Sequence, residues 1–515
     1  MSLVYRRFVL FALVAPALAA AQARTTVGPP RGTVIVVGGG SMGPEIYSAF
    51  IEAAGGPDAL IIDVPTAGGD SVYKQNAPGT RGWKQAGAKN VYVLHTKDRK
   101  LADSDSFAAV IKRAGGIWFE GGRQFHLVDS YAGTKTEQAF NDVLARGGVI
   151  GGSSAGASIL GDFLVRGAPS NNNFIMDDPR YEKGFAYLRG VGIDQHVVAR
   201  ERLADLADSI IPKYPQLLAI SEDEGTAWLV RGDTATIIGR NKAFVYNGKD
   251  ATDRGKPFLT LYPGDRYNLA TRHVIHRAAD DSPVAASVID SLFKKYADPA
   301  AGGATVLVAE AGKVFVDRSF GIPDQPKFMP TTTVPQFNVG GISEVFSALC
   351  AQIPEPPARG GRGAGTTTPD SAAGRRGRGG RAAGPPPTPF QSCVSGRIST
   401  PIGMHKTAAT ADGKVQSSVD ELYRLSLGLE NPRTFTRDTT AATSASIDLA
   451  RGWHADSYKG VARLSAYGTP DGHRAALVRI PERRATIIVL TNDDNADAKR
   501  IADEITNHLL NAKAR

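Results

Sequence analysis

Short apolar segments alternate with amphipathic segments through the first half of the chain. Each apolar segment has the length of a buried strand, and the segments between them have the spacing of helices. The predicted strands are 33–37, 59–64, 91–95, 116–119 and 149–150, and the clearest helices are 45–54 and 106–113. Strands that are apolar throughout and separated by helices are typical of a parallel sheet covered on both faces. The pattern predicts an α/β fold, a doubly wound parallel sheet with helices on both faces, over residues 30–275.

A different pattern begins at residue 276. We expect a connector over 276–302, with one helix, and then a smaller α+β domain formed by 303–352 and 391–515. Ser418 and Glu421 have the spacing of a capping box at the start of a helix. The other predicted elements are a helix at 284–296, a hairpin of 305–308 with 313–317, a hairpin of 475–480 with 485–491, and a terminal amphipathic helix at 496–510. Two hairpins and a helix can form one α+β layer.

Residues 353–390 interrupt this second domain and are rich in proline, glycine and arginine. The segment has too few apolar side chains to pack, so we expect a disordered linker. The 515-residue chain has a formal net charge of +9, and the linker contains six arginines against two acidic residues. The folded parts therefore have little excess positive charge, and no nucleic-acid partner is expected.

The first 23 residues have the features of a secretory signal peptide. Arg6 and Arg7 precede an apolar run at 8–18 and a small-residue cleavage site at 21–23. The run is short for a bilayer span, and no later segment reaches about 18 uninterrupted apolar residues. We therefore expect export to a periplasm or to the medium, with no integral membrane segment after signal cleavage.

Cys350 and Cys393 flank the linker and are the chain's two cysteines. In an oxidising compartment they are candidates for a disulfide. Two cysteines are too few for a structural zinc site, and no histidine-rich spacing supplies the missing ligands. No metal and no organic cofactor are expected.

The strongest chemical signal is a serine in a glycine-rich corner at 147–160. The corner contains Gly152-x-Ser154-x-Gly156, between an apolar strand and a helix. Glycines at these positions let strand and helix approach closely, which would leave the Ser154 hydroxyl exposed at the turn. The N–H of Ala155 could then stabilise an oxyanion. A plain glycine-rich turn is the alternative.

An earlier glycine-rich turn has the dinucleotide-binding spacing. It contains Gly38-x-Gly40-x-x-Gly43 after the first strand, with Asp63 twenty residues after Gly43. Pro44 at the helix start and the turn that follows Asp63 weaken this hypothesis, and a bound nucleotide would leave the serine corner unexplained.

Three further strand-end corners contain polar residues. Gly122, Arg123 and Gln124 follow one predicted strand, and Asp194, Gln195 and His196 follow another. The apolar segment 217–220 leads to the acids Glu222, Asp223 and Glu224. Because strand ends converge in a doubly wound sheet, a histidine and an acid from these corners could serve the serine.

Together these motifs resemble the cyanophycinase and dipeptidase E serine peptidases, over roughly residues 30–270. The resemblance rests on Gly-Gly-x-Gln at 121–124, Gly-Ser-Ser-Ala-Gly-Ala at 152–157, Asp-Gln-His at 194–196 and Asp-Glu-Gly-Thr-Ala at 223–227. It implies a glutamine-amidotransferase-like fold and a triad of Ser154, His196 and Glu224, with Asp223 as the alternative acid. It also implies Gly122 and Ala155 for the oxyanion hole, and Gln124, Asp194, Gln195, Arg200 and Arg202 near the substrate.

The chain departs from this family beside the pocket. The usual Gly-Gly-Asp-Gln is here Gly-Gly-Arg-Gln, which replaces an anion by the cation of Arg123. A cation there would disfavour an arginine side chain and favour a carboxylate. Cyanophycin, a β-aspartyl-arginine polymer, is therefore a less certain substrate than some other aspartyl peptide.

Parts of the C-terminal region resemble the serine β-lactamase and penicillin-binding fold. The segment 337–344 corresponds to its Ser-x-x-Lys motif, but Gly341 and Glu344 replace the serine and the lysine. The segment 466–468, Ala-Tyr-Gly, lacks the expected basic residue. Without a nucleophile the covalent chemistry cannot run, so we expect a degenerate domain that contributes no chemistry.

The sequence thus predicts an exported serine peptidase that acts on aspartyl peptides. One alternative is a serine hydrolase acting on another acyl substrate. Another is a non-catalytic protein that binds a peptide or a peptidoglycan stem. A peptide is the expected partner, and a homodimer is left open.

Overall fold

The computed structural model describes residues 27–511 except for 170–173, 177, 254, 299–300, 322–335, 354–385, 431–434, 436–447, 449 and 471. The predicted signal peptide and most of the predicted linker lie outside these residues.

Fourteen strands are found in the described part of the N-terminal half. They are β1 (Thr33–Val37), β2 (Leu60–Val64), β3 (Asn90–Val93), β4 (Ala114–Phe119), β5 (Val149–Ser153), β6 (Gly161–Phe163), β7 (Leu188–Gln195), β8 (Leu218–Glu222), β9 (Thr226–Arg231), β10 (Thr234–Gly239), β11 (Ala243–Val245), β12 (Leu259–Leu261), β13 (Arg266–Asn268) and β14 (His273–His276). The main sheet has the order β14-β13-β10-β9-β1-β5-β4-β2-β3. Its strands β1 to β5 pair in parallel, which confirms the predicted parallel α/β core.

Helices cover both faces of the parallel core. The described helices of this half are α1 (Pro44–Ala53), α2 (Pro78–Gln85), α3 (Arg99–Ala102), α4 (Asp105–Ala108), α5 (Gln124–Tyr131), α6 (Lys135–Ala145), α7 (Ala155–Ser158), α8 (Ile211–Lys213) and α9 (Ala286–Leu292). Phe50 of α1 and Trp83 of α2 pack on Trp118 at one face, and Phe140 of α6 packs on Phe119 at the other. Adjacent β4 residues thus point to opposite faces, and both are buried.

The strands that lead to His196 and Glu224 lie outside the main sheet. A second sheet has the order β12-β11-β8-β7-β6, with β6, β7 and β8 parallel. Antiparallel β9 occupies the edge of β1, so β7 cannot extend the main sheet there. The corners therefore come from two neighbouring sheets rather than from the one sheet that the sequence pattern predicts.

The C-terminal half forms an antiparallel α+β layer, as predicted. Its sheet has the order β16-β15-β23-β22-β21-β20, and the terminal helix packs on β22 and β23. The strands are β15 (Ala304–Glu310), β16 (Lys313–Phe320), β17 (Phe337–Asn338), β18 (Ala408–Ala409), β19 (Val415–Ser417), β20 (His454–Tyr458), β21 (Val461–Gly468), β22 (Arg474–Ile480) and β23 (Ala485–Thr491). The helices are α10 (Ser343–Gln352), α11 (Pro389–Cys393), α12 (Thr400–Ile402), α13 (Val419–Gly428) and α14 (Ala498–Asn511).

A disulfide joins Cys350 in α10 to Cys393 in α11, with their Cα atoms 5.9 Å apart. It ties together the two parts of the C-terminal domain on either side of the predicted linker. Ser418 caps α13 by accepting a hydrogen bond from the N–H of Glu421.

Candidate active site

Ser154 lies at the turn between β5 and α7 in a strained conformation, with φ 59° and ψ −117°. The flanking glycines explain how the turn closes. A Cβ on Gly152 would lie 2.1 Å from the carbonyl oxygen of Gly156, and one on Gly156 would lie 2.0 Å from that of Phe119. Positive φ at a serine is uncommon and costs free energy, and such strain is typical of functional sites.

His196 lies between this serine and Glu224 and is within hydrogen-bonding distance of both. His196 Nε2 is 2.8 Å from Ser154 Oγ, and His196 Nδ1 is 2.5 Å from Glu224 Oε1. Because a carboxylate only accepts, Nδ1–H donates to Glu224, and the neutral ring leaves Nε2 to accept the hydroxyl proton of Ser154. The arrangement can activate the serine as a nucleophile.

Glu224 is held in its charged form. Burial alone would raise the pKa of this carboxyl group, but hydrogen bonds from His196 and His405 outweigh it and hold the pKa well below its usual range. A charged acid beside the ring favours the imidazolium that forms when His196 takes a proton.

Asp223, the alternative acid, has other partners. Its Oδ1 accepts the N–H groups of Val198 and Ala199 at 3.1 and 2.9 Å, and its Oδ2 accepts Asn241 Nδ2 at 2.7 Å. These bonds fix the segment that follows His196. The geometry thus gives the position next to the imidazole to Glu224.

The glycine-rich turn after β1 lies directly under these side chains. A Cβ on Gly39 would lie 2.1 Å from His196 Cε1, and one on Gly40 would lie 2.5 Å from Glu224 Oε2. A Cβ on Gly38 would lie 2.3 Å from the carbonyl oxygen of Asp223. The close approach of Asp223, His196 and Glu224 thus accounts for Gly38, Gly39 and Gly40, the first and last of which belong to the dinucleotide spacing.

The predicted oxyanion residues belong to two turns near Ser154. Gly122 belongs to the turn between β4 and α5, and its neighbour Gly121 is close enough that a Cβ there would be 3.2 Å from Ser154 Cβ. Ala155 is the first residue of α7, where a backbone N–H has no acceptor within the helix.

The two polar residues after Gly122 bond to one neighbouring segment. Gln124 is buried and donates to the carbonyl oxygen of Val165 at 3.3 Å. Arg123 Nη2 donates to the carbonyl oxygens of Ala168 and Pro169 at 3.3 and 3.0 Å. In this structure the Arg123 guanidinium thus contacts the 168–169 backbone, and its predicted contact with a substrate carboxylate stays a prediction.

Asp194 forms a buried ion pair that the sequence did not indicate. Arg166 donates to its two oxygens from Nε and Nη2 at 2.9 and 2.8 Å, and both side chains are almost fully buried. Arg166 also pairs with Asp205. A role for Asp194 in substrate contact stays a prediction, because its carboxylate here is bound by Arg166.

The other predicted substrate residues differ in exposure. Gln195 is buried and donates to Ser158 Oγ at 3.4 Å. Arg200 is exposed, whereas Arg202 is buried. Burial and the nearby charge of Arg166 lower the pKa of Arg202 to about 10. Arg200 is therefore accessible to a dissolved ligand, whereas the side chain of Arg202 is not.

His405, from the C-terminal domain, also reaches the site. Its Nε2 lies 2.6 Å from Glu224 Oε2. Sequence reasoning missed this residue because it lies 181 positions from Glu224, in no motif.

Within the described residues, no group of three or more histidine, cysteine, aspartate or glutamate side chains could hold a metal ion. No described helix is long and apolar enough to cross a membrane.

A serine, a histidine and a carboxylate that are hydrogen-bonded in that order, near the ends of parallel strands, are typical of a serine hydrolase. Residues 34–238 match the model of Peptidase family S51. The N-terminal half of the chain is thus similar to that family over the residues that form the site, and this match supports a serine-type peptidase. The match ends at residue 238 and does not describe the C-terminal half.

Individual proteins and solved structures are also similar to parts of the chain. The chain is 29% identical to a cyanophycinase of Synechococcus elongatus over 276 residues, which cover 48% of this chain and 82% of that protein. A peptidase from an acI-B1 actinobacterium is 24% identical with a TM-score of 0.37, covering 47% of this chain and 98% of that one. A penicillin-binding protein homologue from Pyrococcus abyssi is 13% identical with a TM-score of 0.31, covering 44% and 77%.

Proposed function

We propose that the protein hydrolyses aspartyl peptides, including β-aspartyl bonds, through an acyl-enzyme on Ser154. The observation that supports it is the continuous sequence of hydrogen bonds from Ser154 Oγ through His196 to Glu224. Ser154 Oγ attacks the peptide carbonyl carbon while His196 Nε2 takes the hydroxyl proton. The N–H groups of Gly122 and Ala155 stabilise the oxyanion of the tetrahedral intermediate.

Collapse of that intermediate breaks the carbon–nitrogen bond. His196 returns its proton to the leaving amine, and the acyl group stays on Ser154 Oγ. Water, deprotonated by His196, then attacks the ester carbon. The bond from that carbon to Ser154 Oγ breaks as His196 returns the proton to Oγ, which releases the acid and restores the serine. Glu224 keeps the imidazole oriented and stabilises its charged form in both halves.

The substrate class follows from the relatives and from the local charge. The relatives named cyanophycinase suggest an aspartyl substrate. Arg123, Arg200 and Arg202 are the cations predicted near the substrate, and their positive charge would favour a substrate with a free carboxylate. We therefore propose that small aspartyl peptides with an additional carboxylate are better substrates than aspartyl-arginine peptides.

The test is a matched panel of peptides with wild type and Ser154→Ala. The panel pairs β-Asp with α-Asp bonds and, for each, a carboxylate, a neutral and an arginine side chain on the second residue. We expect cleavage of β-Asp peptides by wild type alone. Tight binding of the same peptides without cleavage would instead favour the non-catalytic binder, and cleavage of simple esters alone would favour another acyl substrate.

We also propose export through the segment 1–23. Its arginines, apolar run and small-residue site support cleavage after Ala23. Fractionation of cells, with N-terminal sequencing of the mature chain, would test this, and cytoplasmic protein that retains Met1 would contradict it.

The C-terminal domain is proposed to be a degenerate relative of the serine β-lactamase fold without its own nucleophile. The antiparallel sheet with its terminal helix supports this, as does Gly341, where a Cβ would lie 2.3 Å from the carbonyl oxygen of Tyr467. No serine side chain fits there without a shift. A fluorescent penicillin should not label Ser154→Ala covalently, and labelling of this variant would contradict the proposal.

A further inference from the structure

We propose that His405 is a positioning residue for the triad acid, supplied to the active site by the C-terminal domain. The inference rests on the proposed serine mechanism and extends it to a fourth side chain. The domain that lacks a nucleophile of its own thereby takes part in the chemistry of its neighbour.

The two oxygens of Glu224 each contact one histidine. Oε1 lies 2.5 Å from His196 Nδ1, and Oε2 lies 2.6 Å from His405 Nε2. Rotation about the terminal side-chain torsion of a glutamate has broad energy minima, so a single hydrogen bond leaves the carboxylate plane free to rotate. A donor on each oxygen fixes the plane of the carboxylate and hence the direction in which His196 Nδ1–H points.

The loop that carries His405 is held by two residues of α13. Glu421 Oε2 accepts the N–H groups of Lys406 and Thr407, each at 3.1 Å. Arg424 donates to the carbonyl oxygen of Gly403 and to Glu421 Oε1. Both sides of His405 are thus anchored to a buried helix, which is what a positioning side chain requires.

Further contacts between the two domains hold the segment around Glu224 in place. Arg424 Nη2 also lies 3.5 Å from Asp223 Oδ2, in the residue next to Glu224. Lys242 pairs with Asp317 at 2.7 Å and with Asp420 at 3.2 Å, and Arg240 Nη1 donates to the carbonyl oxygen of Ile402 at 3.3 Å. The docking of the domains is therefore set by several ionic contacts that do not involve His405.

His405 also lines an interdomain cavity of about 210 Å³. Its side chain is 41% exposed, while that of Glu224 is 14% exposed. Removal of the imidazole would enlarge an existing cavity rather than open a hole in a packed core, so we expect the fold to tolerate the change. An effect on rate can then be separated from an effect on folding.

Several titratable and charged side chains surround the contact between His405 and Glu224. Glu224 faces His196, His405 and Asp223, while His405 faces Glu224, Glu421 and Arg424. Lys406, beside it, lies 3.7 Å from Glu201. The hydrogen bond with Glu224 raises the pKa of His405. His405 therefore keeps its charge beside Glu224 to a higher pH than an isolated histidine would.

The experiment compares His405→Ala and His405→Gln with wild type in the full chain. The glutamine amide can donate from nearly the position of Nε2. His454→Ala is the matched control, since His454 is an exposed histidine of β20 in the same domain. The readouts are the rate of fluorophosphonate labelling of Ser154, kcat and KM on a cleaved peptide, the pH profile, and the thermal unfolding midpoint.

We expect His405→Ala to slow labelling and to lower kcat by about tenfold, the effect of losing one hydrogen bond to a charged group. KM should stay within about twofold. His405→Gln should recover most of the labelling rate and of kcat, and His454→Ala should match wild type.

Two results would overturn the inference. One is wild-type labelling and kcat in His405→Ala. The other is an equal loss in the alanine and glutamine variants together with a lowered unfolding midpoint, which would show a purely structural contact. Labelling does not depend on the peptide, so wild type that labels but cleaves no aspartyl peptide would contradict only the proposed substrate. Wild type that does not label would contradict the serine mechanism itself.

Discussion

Gly39 lies directly beneath the imidazole of His196. Gly39 has φ +100°, and a Cβ built on it would lie 2.1 Å from His196 Cε1 and 2.3 Å from Nε2. The turn between β1 and α1 thus packs directly against the ring of His196. A motif that suggested nucleotide binding has a steric role in the triad.

Gly39→Ala should therefore displace His196 and lower the rate of fluorophosphonate labelling by at least about a hundredfold, because a misplaced base loses its contact with the nucleophile. The measurement is the labelling rate beside a circular dichroism spectrum. Gly56→Ala is the matched control, since Gly56 has φ +98° and nothing lies within 4 Å of its built Cβ. Equal losses in the two variants would show that backbone strain alone, and not the contact with His196, explains the effect.

Glu224→Gln and Asp223→Asn should separate the two candidate acids. The amide introduced by Glu224→Gln cannot accept from both histidines as a carboxylate does, so we expect kcat to fall by about 10³-fold or more with little change in stability. Asp223→Asn should instead lower the thermal unfolding midpoint, because Asp223 accepts the N–H groups of Val198 and Ala199 and pairs with Arg424. The opposite assignment of the two effects would make Asp223 the functional acid.

Arg166→Met should destabilise the N-terminal domain by about 3–5 kcal/mol, because it leaves the carboxylate of Asp194 buried without its cation. Urea unfolding followed by tryptophan fluorescence measures this. Arg180→Met is the control, since Arg180 forms an exposed pair with Asp178 and should show little measurable change. A small effect at Arg166 would mean that Asp194 finds another partner or is protonated.

Local patterns in the sequence singled out three residues that the structure brings into hydrogen-bonding distance of one another. Ser154, His196 and Glu224 each directly follow or closely follow a strand, at a corner marked by glycine or by acids. The periodicity of the strands also predicted the parallel core. It could not show that β7 and β8 form a second sheet, since that depends on β9 pairing with β1.

Contacts between residues that are far apart in the chain could not be predicted from local sequence patterns. His405 meets Glu224 only because α13 and its ion pairs set one domain against the other. Arg166 likewise lies in no motif, and its pairing with Asp194 depends on a loop with φ +61° at the arginine itself. The sequence therefore indicated residues that lie at strand ends and missed residues that reach the site from other parts of the fold.

The buried carboxyl groups of Asp63 and Glu120 should make the stability of the protein depend on pH. Asp63 is the second-last residue of β2 and lies beside Glu120, which follows β4, and Asp63 is fully buried. Burial, and then the nearby Glu120, raise the pKa of Asp63 well above its usual range. Between the unfolded pKa of about 4 and this raised value the folded protein binds more protons than the unfolded chain. The free energy of unfolding contributed by this pair is therefore present below about pH 4 and is lost as the pH rises.

Asp63→Asn removes that loss, because an amide of the same shape cannot ionise. Relative to wild type, the variant should gain about 1 kcal/mol in the free energy of unfolding at pH 8 and little at pH 4.5. Denaturant unfolding at the two pH values measures the difference. Asp58→Asn is the control, because Asp58 forms an exposed pair with Lys89 and should change stability little at either pH. If Asp63→Asn lost the same stability at both pH values, the carboxyl of Asp63 would be acting through shape and contacts rather than through its proton.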